Sequence, residues 1–463
     1  MSQKLLFEVL GGLVFIPTVL TFLWLSFMLL ISRKPAEVHV VTLTRIAVAC
    51  SLLGGLTMAL ILPLSGASHV SLGSWIMVDS HHYDFVILAD MVSVSYAVFS
   101  SLLLYLICSF SQRYLHKEPG FHRFYLVLLL FSLGLHLVCF SGTLELLLVG
   151  WELVGLSSVL LIAFFTQRPQ PALNGFWVFS VYRLTDIGLY AAVLVLHYSS
   201  AGTVFEPLEQ ASWAGIAMND LAGVTSLLLL IAVIGKSALF PLCNWLPRAM
   251  EGPTPSSAVF YGALSVHLGP LLLLRMADII SNLLALQIAL IVIGLLTVLI
   301  GNLVGRVQSD IKSRLAYGAV TQLGFIVAEI GLGWFELALV HVITHAVFRT
   351  LQFLRAPSLL HERHHLEQML GHHISVFHPR SGSGTRAQRF MYRFSLERGF
   401  LDVVLADWIV NGTLSLFRRI DLGERRLASL ISGVSIETAC DLQDSSVNED
   451  PAVFNQENSG VQK

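Results

Sequence analysis

This sequence has little charge. Only 13% of its 463 residues are charged, against 55% hydrophobic, and the mean hydropathy is +0.73. That balance excludes a soluble globular domain of this length. Cysteine is scarce as well: five residues, four within apolar runs, offer neither a disulfide framework nor metal-ligand spacing. No cofactor motif and no short-period repeat is present, so a redox or metal enzyme finds no support and no cofactor is expected in this chain. The net charge of −2 names no partner and gives no ground for nucleic-acid binding. Lysine is absent between Lys312 and Lys463.

What is there is a series of apolar runs of about 20 residues, each long enough to cross a hydrocarbon core of ~30 Å. The expected fold class is all-α, a polytopic helical membrane protein. Spans are expected near Leu5–Ile31, Leu43–Leu64, Leu88–Ser111, Phe124–Phe140, Leu144–Phe165, Leu173–Tyr198, Leu221–Leu246, Ser256–Met276, Leu284–Val304, Leu315–Leu332 and Phe335–Leu354, eleven in all. The first is too long for a cleaved signal and has no small-residue cleavage site, so it reads as a retained helix. Lys and Arg are missing from Ile46 to Gln112, Phe124 to Gln167, Leu184 to Gly235 and Leu315 to Phe348. They collect at Arg33/Lys34/Arg45, Arg113/Lys117/Arg123, Arg168, Arg248 and Arg306/Lys312/Arg314, which are alternate loops. By the positive-inside rule those loops are cytoplasmic, with the N-terminus outside and the tail inside. Arg275 is the one charge out of place.

Residues 1–355 therefore form the membrane domain. Residues 356–396 read as a basic, histidine-rich cytoplasmic linker, with Arg363, Arg380, Arg386, Arg389, Arg393, His361, His364, His365, His372, His373, His378 and a flexible "RSGSGTR". Residues 397–430 regain hydrophobicity but carry Asp402 and Asp407 and are basic on both flanks, as suits an amphipathic helix on the membrane surface or on a partner. Its apolar face would be Leu401, Val404, Leu405 and Trp408, a docking surface for a soluble subunit. Residues 431–463 are polar, acidic and expected to be disordered.

A charge near the bilayer centre costs about 2.5–3.5 kcal/mol on insertion scales and marks function by default. Glu152 lies roughly 12 Å into its helix by helical rise, and Glu145, seven residues earlier, lies on about the same face. Arg183 and Asp186 are three apart and read as a pair, structural or ion-carrying. Lys236 is deep in its span. Pro241 removes a backbone bond and is expected to break the helix just past the lysine. Such a break can line a wet cavity beside a titratable group. His267 alone reads equally well as a hydrogen-bonded core residue. His341, His345 and Arg349 stand at i, i+4, i+8 on one face. No carboxylate or cysteine stands nearby in the sequence, so the histidines read as a proton relay ahead of a metal pair. Lys312 could simply snorkel to the surface, and "HERHH" reads as a surface or interface cluster. Glu152 and Lys236, opposite charges deep in separate helices, are expected to act as a coupled pair.

The stretches "VGWELVGLSS", "RLTDIGL", "GKSALFPLCNWLPRAMEGPTPSSA", "DIKSRLAYGAVTQLGF" and "HVITHAVFRTLQFL" resemble the antiporter-like family. Its members are the large membrane subunits of respiratory complex I and of multi-subunit sodium/proton antiporters. The resemblance covers about residues 80–355. It implies a proton channel in which Glu152 and Lys236 exchange protons through water, with His267, Lys312, His341 and His345 as relay members. Three features depart from the family. Tyr261 stands where complex I members have a histidine, and Arg349, which cannot be deprotonated, stands where they have a lysine. A second broken helix with its lysine is missing, so the inverted repeat is cut short. "LQFLRAPSLLHE", "FYGALSVH" and "LERGFLD" are similar to the DabB type of membrane subunit, from bacterial inner-membrane systems that accumulate dissolved inorganic carbon. That similarity implies cation flow, of protons or sodium, driving CO2 hydration in a large cytoplasmic DabA-type zinc partner resembling a β-carbonic anhydrase. This chain would then be a transport subunit and not itself an enzyme. A subunit of complex I, of a membrane hydrogenase or of an antiporter, and a passive membrane anchor, stay open as alternatives.

Overall fold

The computed structural model describes residues 3–78, 81–198, 204–205, 220–370, 386–400, 402 and 410–432. Among them, nine helices are long and apolar enough to cross a membrane. The first six are α1 (Gln3–Leu30), α2 (Glu37–Ser65), α3 (Met91–Tyr114), α4 (Phe121–Phe140), α5 (Leu144–Ile162) and α6 (Pro169–Tyr198). Two expected spans look different. α7 (Asp220–Lys236) is apolar but short, and a separate turn α8 (Trp245–Arg248) follows it. Then come α9 (Thr254–Arg275), α10 (Ala277–Asn282), α11 (Leu284–Gly305), α12 (Ile311–Gly331) and α13 (Phe335–Leu370). α12 is the second exception: Arg314, Gln322 and Glu329 interrupt its apolar run.

The chain is built inside out. Leu20, Phe27, Leu60, Ile187, Leu227, Leu295 and Phe348 are exposed, an apolar belt suited to lipid, while Asp186, Lys236, His267, Arg275 and many serines are buried. α9 crosses the middle, and the apolar window of this span is buried along its whole length. It passes through a π-turn at Ser257–Leu264 and a 3₁₀ turn at Ser265–His267. Such irregular backbone is tolerated at this depth because protein, not lipid, encloses it. α11 and α12 pack backbone to backbone at Gly294 and Gly324, where a Cβ on either would stand 2.6 Å from the other's carbonyl oxygen.

A β-hairpin before α3 is the element the sequence pattern did not announce. β1 (Ser68–Val78) pairs antiparallel with β2 (His81–Ala89), Ser68 opposite Ala89 and Val78 opposite His81. The "FVILA" end of β2 reads equally as the start of a helix, because a short apolar run does not separate the two. α3 accordingly begins at Met91, not Leu88, and Asp90 caps it by accepting from Ser93 N at 2.8 Å. The hairpin is tied to the α4–α5 turn, since Gly142 N donates to Val86 O at 2.8 Å. It marks one end of the bundle, shared by the start of α3, the end of α9 and the α12–α13 turn.

The expected boundary at residue 355 falls inside a helix. α13 continues to Leu370, as the glycine-free run from 358 to 370 allows, and α14 (Arg386–Leu396) adds helix to the expected linker. Of the expected interfacial helix at 397–430, the described residues hold a 3₁₀ turn over Arg398–Phe400, with Gly399 at φ 73°, and the long helix α15, Asn411–Ser432. Leu401, Val404, Leu405, Trp408 and Asp407 lie outside the described residues, as does the tail from 433. α15 belongs to a second compact unit and exposes Leu416, Ile420 and Leu427 along one stripe.

Candidate functional site

The first cluster forms where α5, α6 and the end of α7 meet. Lys236 is the last residue of α7 and is fully buried. Its Nζ donates to Trp151 O at 3.0 Å and stands over the rings of Tyr182 (4.4 Å to the centroid) and Trp151 (5.0 Å). Gly155, one turn along α5, makes room for it: a Cβ there would lie 2.8 Å from Nζ. Arg183 donates to Glu152 Oε2 and, at 3.1 Å, to Asp186 Oδ2, while Trp151 Nε1 donates to Asp186 Oδ1 at 2.6 Å. Arg183 is thus shared between two carboxylates and does not belong to Asp186 alone. Glu152 and Lys236, expected as a pair, do not bond directly. Trp151 and Arg183 stand between them. Glu152, Gly155, Tyr182 and Arg183 line a cavity of about 170 Å³, room for a few waters.

The helix break falls earlier than Pro241. α7 ends at Lys236, because Pro241 lacks the N–H that would bond the Ser237 carbonyl and its ring crowds that carbonyl. Ala238 turns to φ 51°, Leu239 N reaches back to Ile234 O at 3.0 Å, and Trp245 Nε1 covers the freed Gly235 carbonyl at 2.9 Å. The strand of chain after the break is clasped from the C-terminal side. Asp402 accepts from Arg248 at 2.9 Å and from Arg398 at 3.3 Å, and Asn244 Nδ2 donates to Arg398 O at 2.9 Å. Lys312 faces the same region and reaches the carbonyls of Gly252 (3.4 Å) and Met250 (3.5 Å) instead of pointing away.

The second cluster joins α9, α12 and α13. His267 and His345 are buried and hydrogen-bonded, Nε2 to Nδ1, at 2.9 Å. Arg349 Nε donates to His345 Nε2 at 3.3 Å, so His345 carries its proton on Nδ1 and gives it to His267 Nε2. His267 Nδ1 in turn donates to Ala263 O. The ring polarity is thereby set by the network. His341 lies one turn from His345, ring centroids 6.4 Å apart. A carboxylate does stand beside it, contrary to expectation: Glu329 of α12 places Oε1 and Oε2 at 2.9 and 3.1 Å from Nδ1, and Gln322 Oε1 is 3.0 Å from Nε2.

Elsewhere, Glu145 faces His197 at 3.6 Å. The misplaced Arg275 is neutralised: it donates to Asp90 at 2.5 Å, to Ser93 Oγ at 2.5 Å and to Cys139 O at 3.3 Å. The side chains of Tyr261 and of "HERHH" lie outside the described residues. Among the described residues no three His, Cys, Asp or Glu are grouped to hold a metal. Sequence reasoning missed Trp151, Gly155 and Asp90, which carry no signal alone, and Glu329, which did: it is the lone acid in the run from Leu315 to Phe335.

These motifs and helices match known proteins. The family described as "NADH:quinone oxidoreductase/Mrp antiporter, TM" matches residues 141–373, and "NADH-Ubiquinone oxidoreductase (complex I), chain 5 N-terminus" matches residues 75–125. The chain belongs to this antiporter-like membrane family. Among its relatives, NAD(P)H-quinone oxidoreductase chain 5 of Synechocystis is 32% identical over 66% of this chain and 45% of that protein. The probable inorganic carbon transporter subunit DabB1 of Halothiobacillus neapolitanus is 35% identical over 55% of this chain and 46% of that protein. NADH-quinone oxidoreductase subunit L of Neisseria meningitidis is 32% identical over 72% of this chain and 51% of that protein. The antiporter-like chain thus spans about half the length of these relatives. A solved structure of the Mrp complex from Dietzia shares the fold at a TM-score of 0.64 and 24% identity, over 81% of this chain and 39% of that one.

Proposed function

We propose that this multi-pass membrane chain conducts a cation, a proton or sodium ion, in a bacterial inner membrane, and so powers inorganic carbon accumulation by a large cytoplasmic zinc partner of the DabA type. The observation that supports conduction is Lys236, fully buried at the end of an interrupted helix and held between aromatic rings beside Asp186, Arg183 and Glu152. A titratable amine at that depth needs a reason, and exchange of a proton with Glu152, which lines a cavity, supplies one. The carbon role rests on the likeness to DabB1. Any zinc and any hydration chemistry would reside in the partner, leaving this chain as the transport subunit.

A second reading, a subunit of a respiratory or antiporter complex, draws on the Synechocystis and Neisseria relatives. Co-expression with a DabA-type protein, in cells lacking carbonic anhydrase, separates the two. Uptake of labelled bicarbonate that needs both chains and stops with an uncoupler supports the carbon role. Sodium/proton exchange or NADH-driven pumping with no bicarbonate uptake supports the second reading.

A further inference from the structure

We propose that Glu329, with His341 and Gln322, is the site where protons load into the second half of the bundle, from the face that carries the β-hairpin. The proposal rests on the conduction reading above. It begins from α12, where Gln322 and Glu329, seven residues apart, lie on one helical face in an otherwise apolar stretch. A carboxylate so placed is costly without a partner. Its partner is His341, whose two ring nitrogens face the Glu329 carboxylate and Gln322 Oε1. The ring thus bridges a carboxylate and an amide on one face of α12. The second half, empty of lysine after Lys312 as far as Lys463, places a histidine beside a carboxylate instead.

Position gives the pair a direction. Glu329 is two residues from the end of α12 and His341 six residues into α13, within about 10 Å of the connecting turn by helical rise. That turn is at the hairpin end, which the distribution of Lys and Arg makes the outer face. Accessibility falls along the same line: the Glu329 and His341 side chains are 18% and 22% exposed, His345 is 5% exposed and His267 is fully buried. The first pair is partly exposed at the bundle surface, and the last is enclosed by protein. The 6.4 Å between the His341 and His345 rings is a gap that one water closes. Other charged groups nearby on α13 are Glu336, in its first turn, and Arg349, against His345 on the inner side.

The step balances simply. His341 releases a proton towards His345 and becomes neutral. The Glu329 carboxylate then takes a proton from outer water and passes it to Nδ1 of His341. One proton enters, one moves inward, and the pair returns to carboxylate and imidazolium. Arg349 holds His345 Nε2 and disfavours a second positive charge there, so the proton does not rest on His345.

The test uses the full chain in its native assembly, in right-side-out membrane vesicles with a trapped pH dye and an acid pulse outside. Glu329→Gln should slow proton uptake about tenfold or more, while Glu329→Asp keeps most of the rate. Uptake at the wild-type rate in Glu329→Gln overturns the proposal. For access, Glu329→Cys in a Cys50→Ser/Cys440→Ser background should react with a membrane-impermeant thiol reagent added outside. Labelling only from the inside, or none, overturns it too, and this readout does not depend on any structural role of the carboxylate. Lys236→Ala is run beside these variants. If it conducts normally, the conduction reading itself fails. If it is inactive while Glu329→Gln is normal, the loading site alone fails.

Discussion

The two halves of this bundle solve the problem of intramembrane charge differently. In the first, Lys236 is buried with no access of its own, and four groups, Trp151, Glu152, Arg183 and Asp186, surround it or one another within bonding distance. In the second, the buried imidazoles of His267 and His345 are hydrogen-bonded to each other and to Arg349, and Glu329 meets His341 near the end of the bundle. A buried lysine needs neighbours that balance its charge, whereas the buried histidine pair is satisfied by hydrogen bonds between its rings and to Arg349.

The largest effect expected follows from removing the buried charge. Lys236→Ala should abolish cation flux in vesicles containing the assembled complex, while membrane insertion measured by blotting stays near wild type. Glu152→Gln should fall nearly as far. A double variant that inserts fully and conducts normally would mean that the first half is an anchor, and the contrast between the halves would lose its functional meaning.

A smaller effect probes how tightly that charge is held. Gly155→Ala sets a Cβ 2.8 Å from Lys236 Nζ. The ammonium is fully buried between rings and can move by only a fraction of an ångström. Displacing a reacting group by about 1 Å can cost as much as a hundredfold, so flux should drop roughly tenfold with no change in expression. No comparable loss is expected from Gly223→Ala, which meets open space.

The contrast also shows which parts of the site were legible in the sequence. Glu152, Arg183, Asp186 and Lys236 stood out because a charge in an apolar run is rare and costly, and all four converge on one cluster. Their wiring did not stand out. That Trp151 bridges Lys236 to Asp186 depends on where a carbonyl and an indole point, which periodicity does not encode. His341 and His345 were legible by helical spacing, but their partners lie 12 and 78 residues away, on other helices. The spans followed from hydropathy wherever the run was continuous. They failed where backbone geometry took over, at the hairpin, whose apolar end resembles a helix start. The break just past Lys236 was legible from Pro241, and α7 ends at that lysine.

The smallest effect concerns the segment after the membrane helices. The sequence suggested an amphipathic helix over residues 397–430 on the membrane surface or on a partner; within that stretch Asp402 accepts from Arg248 beside the interrupted helix and from Arg398 on its own turn. The three side chains are 22–29% exposed, so water screens the contact, and a partly exposed ion pair contributes below about 1 kcal/mol. Asp402→Asn should therefore lower the thermal midpoint in detergent by about 2 °C or less and leave insertion unchanged. Its value lies in what happens to flux. The clasp touches the chain just after Lys236, through Asn244 and Arg248, so loosening it should slow conduction modestly if the turn positions the lysine. A flux equal to wild type would show that Lys236 is positioned by α5 and α6 alone, and that the first half works independently of everything after α13.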